Sequence, residues 1–252
     1  MPWDPDQYHR FQRERFAPFE DLLPLVTVRP QLHVIDLGCG SGELTRRLAD
    51  ALPESTVLGL DSSPAMLERA AAQARLGLHF ELGDLAHITG EWDLIFSNAA
   101  LQWVEDHHVL LPALFAHVKV GGQLVVQMPS NHTHPSHRLL YETAQEEPFY
   151  TALGGWSRHS PVLAVEHYAE LLYAEGGENL IVFEKVYPHM LPDSDALAEW
   201  TRGTTLVPYL ERLPEALIEP FLARYRKLLR ERYPERPVFY GFRRILFAAT
   251  RG

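Results

Sequence analysis

The chain has 252 residues, with 23 Lys and Arg against 33 Asp and Glu, and so a net charge of −10. Its 46% apolar and 22% charged content excludes whole-chain disorder, collagen and low-complexity architectures, and its single cysteine, Cys39, excludes an intrachain disulfide framework and fits a reducing compartment. No apolar run approaches the roughly 18–20 residues that span a bilayer, and the start Met1-Pro-Trp-Asp-Pro-Asp carries acids where a signal peptide carries bases, so a cytoplasmic protein without a membrane partner is expected.

Residues 7–26 read as one or two helices, with Phe11, Phe19, Leu22 and Leu23 as packing positions. His33-Val-Ile-Asp-Leu37 is a short apolar run ending at glycines, the pattern of a buried strand. A helix follows over 42–52, with Leu44 and Leu48 on one face. Residues 56–60 form a second strand and 64–75 a second helix, which Ser63 can cap and Pro64 can open. Strands follow over 78–82, 93–96 and 123–127, with a helix over 106–118 that Asp106 is expected to cap. Strands that alternate with helices make parallel βαβ units and an α/β sheet.

The regularity then stops. Residues 129–165 are a mixed stretch punctuated by Pro135, Gly154, Gly155 and Pro161. A helix is predicted over 167–174 and a strand over 180–186. Residues 193–233 are helical, broken near Gly203, Pro208 and Pro214. Leu217, Phe221, Leu222, Tyr225, Leu228 and Leu229 give the last helix one buried face. Residues 244–250 close the chain as a strand. The resulting expectation is one sheet, with a helical insertion ahead of its last strand.

Charge is unevenly spread. Residues 200–252 hold ten Arg and one Lys against five Glu, a balance of +6, so residues 1–199 carry −16. The basic segment suits a small anionic ligand. Nucleic acid is not expected, because the overall acidity opposes a phosphate backbone. Arg224, Arg226, Lys227, Arg230 and Arg232 also fit the solvated face of a single helix.

The sharpest signal is Val34-Ile-Asp-Leu-Gly-Cys-Gly-Ser-Gly42, between the first strand and the first helix after it. Glycines at 38, 40 and 42 let a ligand approach the backbone at the carboxyl end of a strand. The dinucleotide pattern would need glycine at 43, where Glu43 stands, and a glutamate at that helix start disfavours a diphosphate. No Gly-Lys-Ser/Thr follows, which excludes a P-loop. Asp61 ends the second strand, 19 residues after Gly42, where a carboxylate can take two ribose hydroxyls. Asp84 ends the third strand, where an adenine could lie. Asp36, the glycine loop, Asp61 and Asp84 therefore fall at the ends of successive strands.

Residues 33–128 resemble the class I S-adenosylmethionine-dependent methyltransferases. Most of the chain is similar to the trans-aconitate 2-methyltransferase family. The resemblance rests on Trp3-x-Pro5-x-x-Tyr8-x-x-Phe11-x-x-Glu14-Arg15, Asp61-Ser-Ser-Pro-Ala-Met66, Asp93-Leu-Ile-Phe-Ser-Asn-Ala-Ala-Leu-Gln-Trp103, Gln127-Met-Pro-x-Asn131, Pro135-Ser-His137 and Phe242-x-Arg244. It implies an α/β, Rossmann-like, mostly parallel seven-stranded sheet with an antiparallel last strand and a helical insertion. The implied organisation is an N-terminal helical segment over the cofactor site (1–29), a cofactor-binding core (30–189 and 238–252) and an acceptor cap (190–237).

The implied cofactor is S-adenosyl-L-methionine. By resemblance, Asp36, Gly38, Gly40 and Gly42 surround its methionine part, Asp61 holds the ribose, Met66 packs near the adenine, Asp84 and Leu85 meet the adenine edge, and Ser62 belongs to the same cofactor site. Asn98 lines the pocket near the sulfonium, and Tyr8 and Arg15 fold over the site. The implied activity is O-methylation of a small carboxylic acid, with trans-aconitate the first expectation.

A carboxylate acceptor is ionised at pH 7 and needs no general base; it needs donors that hold its other carboxylates. No acid or base is therefore assigned. The substrate candidates are Arg244, which matches the family's terminal arginine, with Trp103, His132, His137, Arg138 and Arg202. One position departs from the family pattern: Leu206-Val-Pro-Tyr-Leu210 carries Val207 where the family has arginine, which points to fewer gripped carboxylates or a different acid, with Arg202 or Arg243 compensating.

Other readings stay open at this point: a different acceptor, such as an acyl carboxylate or a small N or O nucleophile, or a binding protein without turnover. A metal at His132, His134 and His137 would need a fourth ligand or water, and none is expected. Cys39 lacks a neighbouring base and reads as a small buried residue. The oligomeric state is not legible.

Overall fold

The computed structural model describes residues 12–203 and 205–252, with side chains from residue 16 onward. The expected helix over 7–11, Tyr8, and the side chain of Arg15 lie outside the described residues. The strands are β1 (His33–Leu37), β2 (Thr56–Asp61), β3 (Leu78–Leu82), β4 (Trp92–Asn98), β5 (Val118–Pro129), β6 (Gly177–Leu191) and β7 (Val238–Arg251). The helices are α1 (Gln12–Leu22), α2 (Glu43–Ala51), α3 (Pro64–Ala70), α4 (His107–Ala116), α5 (Pro135–Ala144), α6 (Phe149–Ala152), α7 (Val165–Ala174), α8 (Ser194–Arg202), α9 (Val207–Leu210) and α10 (Glu215–Arg232).

The seven strands form one sheet in the order β3-β2-β1-β4-β5-β7-β6. Strands β1 to β5 pair in parallel, and β7 pairs antiparallel with β5. The order reverses at β1, so the carboxyl ends of β1 and β4 flank the switch point, where open α/β sheets bind their ligands. The register brings Asp36 opposite Gly59 on one side and Phe96 on the other.

The chain divides into two compact bodies. One contains residues 14–129, 161–185 and 244–252; the other contains 130–160 and 186–243. The expected cap 190–237 falls within this second body, which also takes in the stretch that follows β5.

In the sheet body, burial explains the short apolar strands. Val34, Ile35, Leu37, Ile95 and Phe96 are nearly or wholly inaccessible, as strands covered on both faces require. One face carries Phe19 and Leu22 of α1 with Leu48 and Ala49 of α2; Phe19 meets Phe96 edge to face at 6.0 Å. The other carries Leu110, Leu111, Leu114 and Phe115 of α4 with Tyr168 and Leu172 of α7. Ser63 caps α3 through Met66 N–H, and Pro64 occupies the first turn, as expected. Asp106 stands at the start of α4 but makes no side-chain cap bond. Its backbone lies in the left-handed region, φ +51°.

The helical body packs α10 against α8 and α5. The predicted apolar stripe holds: Phe221, Leu222, Tyr225 and Leu229 are buried, with Leu217 packed beside them. Its basic face is paired rather than open. Arg224 grips Glu146 with two bonds of 2.7 Å, Arg226 meets Glu199 at 2.9 Å and Arg230 meets Asp195 at 2.9 Å. Among the described residues no helix is long and apolar enough to cross a membrane.

Candidate functional site

The glycine loop leaves β1 and enters α2 at Gly42. Gly38 and Cys39 both donate their N–H to Leu60 O, at 2.8 and 3.1 Å, which ties the loop to the end of β2. All three glycines have positive φ, but two of them answer different needs. A Cβ on Gly38 would stand 2.2 Å from the Ala100 Cβ, so this position is set by the close approach of the turn after β4. A Cβ on Gly40 would meet nothing within 4 Å. Gly40 needs glycine for its φ of +55° alone, and it leaves backbone open to a ligand.

Two carboxylates frame that loop. Asp61, at the end of β2, accepts Gly40 N–H and Ser63 N–H, each at 2.8 Å, on its two different oxygens. Asp36, at β1, is buried and accepts the Thr45 hydroxyl at 2.6 Å. Burial pushes the Asp36 carboxyl up to about 7; the Thr45 bond opposes this and the charge on Asp61 adds to it. A buried acid beside a second acid is relieved by a cation. The sequence reading missed Thr45. Its signal is the spacing of Thr45, Leu48 and Ala49 on the buried face of α2, where a hydroxyl is the one polar side chain.

The β4 end supplies the third element. Asn98 lies opposite Gln127 of β5, and its Oδ1 accepts Gln127 Nε2–H at 2.7 Å. The next residue, Ala99, has φ +59°, a conformation that costs a non-glycine residue roughly 1–2 kcal/mol. Its N–H donates to Gln127 O at 2.9 Å, and its carbonyl accepts Gln102 Nε2 at 2.7 Å. Gln102 Oε1 is buried without a hydrogen-bond partner among the described residues. Arg244, midway along β7 in the same body and only 8% exposed, donates from Nη1 to Gln127 Oε1 at 3.0 Å.

The remaining predicted residues are more peripheral. Ser62 is exposed, and Met66 is half-buried in the first turn of α3. Leu85 stands 3.9 Å from the position a Gly38 Cβ would take. Asp84 is exposed, and its carboxylate is lowered by the Ala86 N–H and by His87. Trp103 is 55% exposed, so its ring is open to a ligand rather than packed in the core. Cys39 is buried, and burial with two nearby carboxylates pushes its thiol far up, so it is inert.

In the helical body, His132 and Arg138 are exposed. His134 caps α5 through Ser136 N–H, and burial lowers its pKa to about 4. His137 Nε2 contacts Thr205 Oγ1 at 3.0 Å, and burial holds its pKa near 3. Both imidazoles are neutral at pH 7. Among the described residues no group of three or more His, Cys, Asp or Glu could hold a metal. Arg202 pairs with Glu199 at 3.8 Å, and Arg243 bonds Thr133. Val207 opens the short helix α9, whose Tyr209 hydroxyl accepts Arg158 N–H at 3.1 Å.

A seven-stranded sheet in the order β3-β2-β1-β4-β5-β7-β6, with β7 antiparallel, a glycine loop on the carboxyl edge of β1 and an acid at the end of β2, is the arrangement of the class I methyltransferases. A family model described as a methyltransferase domain matches residues 34–122. Among solved structures, the YcgJ protein of Bacillus subtilis shares the fold with a TM-score of 0.62 at 13% identity, over 94% of this chain and 99% of that one. Phosphoethanolamine N-methyltransferase 2 of Haemonchus contortus, solved with S-adenosyl-L-methionine, gives 0.54 at 16% identity, over 94% of this chain and 53% of that one. The curated relatives narrow the class. The trans-aconitate 2-methyltransferase of Deinococcus radiodurans is 51% identical over 100% of this chain and 99% of its own length. That of Variovorax paradoxus is 40% identical over 94% and 92%. The chain belongs to the trans-aconitate 2-methyltransferase family.

Proposed function

We propose that this chain transfers a methyl group from S-adenosyl-L-methionine to one carboxylate of trans-aconitate or a closely related small polycarboxylic acid. The observation that carries this reading is the full-length 51% identity to a relative of that name. The β1 edge fits the cofactor. Gly40 leaves backbone accessible, Gln102 Oε1 is a buried acceptor awaiting a donor, and Asp36 with Asp61 makes a doubly acidic corner suited to a cationic ligand. The cofactor supplies, when bound, an electrophilic methyl on a positive sulfur.

In this reading the chain's own residues position and neutralise. Asp61 keeps lone pairs for the ribose beyond the two it gives to backbone N–H groups. Asp36 gives up its proton as a cation arrives. Ser62, Met66, Asp84 and Leu85 border the nucleoside. Arg202, Arg138, His132, His137 and Trp103 serve the acceptor, with residues 190–237 as its cap. No residue must take a proton from a carboxylate already ionised. Orientation of the two reactants carries most of the rate, and alignment can supply roughly 7–11 kcal/mol of the barrier.

Val207 favours a second acceptor. With no cation at that position, an acid with fewer carboxylates is gripped as well as the tricarboxylate. The test of both is methyl transfer from methyl-labelled S-adenosylmethionine to a panel of small carboxylic acids led by trans-aconitate, with release of the label by alkali. Saturable, base-labile labelling of trans-aconitate is expected. Saturable labelling of a dicarboxylate alone selects the second acceptor, and cofactor binding with no labelled acid overturns both.

A further inference from the structure

Three polar side chains on neighbouring strands form a chain of fixed polarity. It begins at Arg244, whose guanidinium donates hydrogen bonds and never accepts them. Its Nη1 lies 3.0 Å from one end of the Gln127 amide. That end must be the oxygen, because the amide nitrogen would set donor against donor. The other end of Gln127 is therefore an N–H donor, and it lies 2.7 Å from Asn98. The Asn98 atom it faces must in turn be oxygen. The orientation of both amides thus follows from chemistry rather than from any assignment of nitrogen and oxygen.

Gln127 is 1% exposed and Arg244 8%, so water does not compete for the bond between them, while Asn98 is half-buried. Gln127 also holds the following residue, since its carbonyl accepts the N–H of Ala99, the strained residue at φ +59°. Backbone and side chain of one glutamine therefore clamp the turn at the β4 end, the same turn whose Ala100 abuts Gly38.

We propose that Gln127 is a positioning residue of this site: oriented by Arg244, it commits Asn98 Oδ1 to the protein and leaves Asn98 Nδ2 as a donor to the carboxylate of the methyl acceptor. The assignment rests on the methyl-transfer reading above and extends it to a residue that acts through Asn98. Arg244 then works at one remove. Its charge sets the sense of the relay and strengthens the final donor by polarising the bonds between.

The test is a double-mutant cycle on the full chain. Gln127→Glu keeps an acceptor for Arg244 but cannot donate to Asn98, so the Asn98 amide turns over and presents oxygen to an anionic acceptor. Asn98→Ala removes the donor. Each is expected to lower kcat/KM for the acceptor by about 10–100-fold, the range for a hydrogen bond to a charged group. The double variant should fall no more than about twofold below Asn98→Ala. The Kd for S-adenosylhomocysteine, by calorimetry, should rise by a smaller factor than the acceptor kcat/KM falls, since Asn98 borders the cofactor but donates to the acceptor. Gln127→Met, which keeps the volume and drops both bonds, repeats the cycle if the buried glutamate lowers the folded fraction.

Losses that multiply in the double variant, or that fall on cofactor affinity as heavily as on the acceptor, overturn the relay while methyl transfer by the parent still stands. A parent that methylates no acid overturns the methyl-transfer reading and the relay with it.

Discussion

The Asp61 carboxylate accepts the Gly40 N–H at 2.8 Å, so the residue at the end of β2 holds the middle of the loop that leaves β1. The other oxygen fixes Ser63 N–H, two residues on. One side chain thus pins two connections at the carboxyl edge of the sheet, quite apart from any hydroxyl it would bind.

Asp61→Ala should therefore cost stability as well as cofactor affinity. A charged hydrogen bond contributes about 1.5–3 kcal/mol, and partial exposure puts this site at the lower end. We expect about 2 kcal/mol from urea unfolding of the ligand-free protein, with at least tenfold weaker binding of S-adenosylhomocysteine by calorimetry. An unchanged unfolding midpoint would show that the loop holds itself.

Gly38→Ala and Gly40→Ala should separate packing from binding. The first drives a Cβ to 2.2 Å from Ala100; strain and displacement together should cost about 3 kcal/mol or more. The second meets open space and should cost only the left-handed backbone term, about 1 kcal/mol, yet weaken cofactor binding sharply. Equal destabilisation of the two variants would contradict the geometry.

Asp36 predicts a pH dependence. Its carboxyl stands near 7 in the folded chain against an ordinary 3.8. Between those values the native state holds a proton that the unfolded state has lost. The unfolding free energy of the ligand-free protein should therefore fall as pH rises from about 4 to about 7 and level off above, by a few kcal/mol in total. Asp36→Asn should remove that slope in denaturant titrations across the range. A variant that keeps the full slope would assign it to other groups.

Cys39 should be silent to thiol reagents. It is buried in the loop, and burial and two carboxylates disfavour the thiolate. Alkylation by iodoacetamide at pH 8 should proceed no faster than opening of the loop, and denaturant should restore an ordinary rate. Rapid labelling of the native chain would place the sulfur outside the core.

The strands β1 and β3 are legible to the residue because short apolar runs between glycines and charges have one plausible use. The termini of β4, β5, β6 and β7 are not. Each runs two or more residues beyond its apolar stretch at one end or both, since backbone pairing with a neighbouring strand, rather than side-chain burial, decides where they end. Asp106 shows the limit of a local signal. It stands at the expected helix start, yet its backbone is left-handed and its carboxylate makes no cap bond. The basic face of α10 was readable as charge but not as ion pairs, because Glu146, Glu199 and Asp195 lie on other elements.

The alternation of strands and helices along the chain, the glycine loop with its acids at successive strand ends, and the motifs of a methyltransferase family are all written in the chain itself, because each rests on residues close in sequence. The division between Gly38 and Gly40, the raised Asp36 carboxyl beneath Thr45, and the relay from Arg244 through Gln127 to Asn98 come only with the folded sheet. Arg244 and Gln127 stand 117 positions apart. Strand pairing alone brings them within a hydrogen bond, and burial alone makes that bond decide which way an amide points.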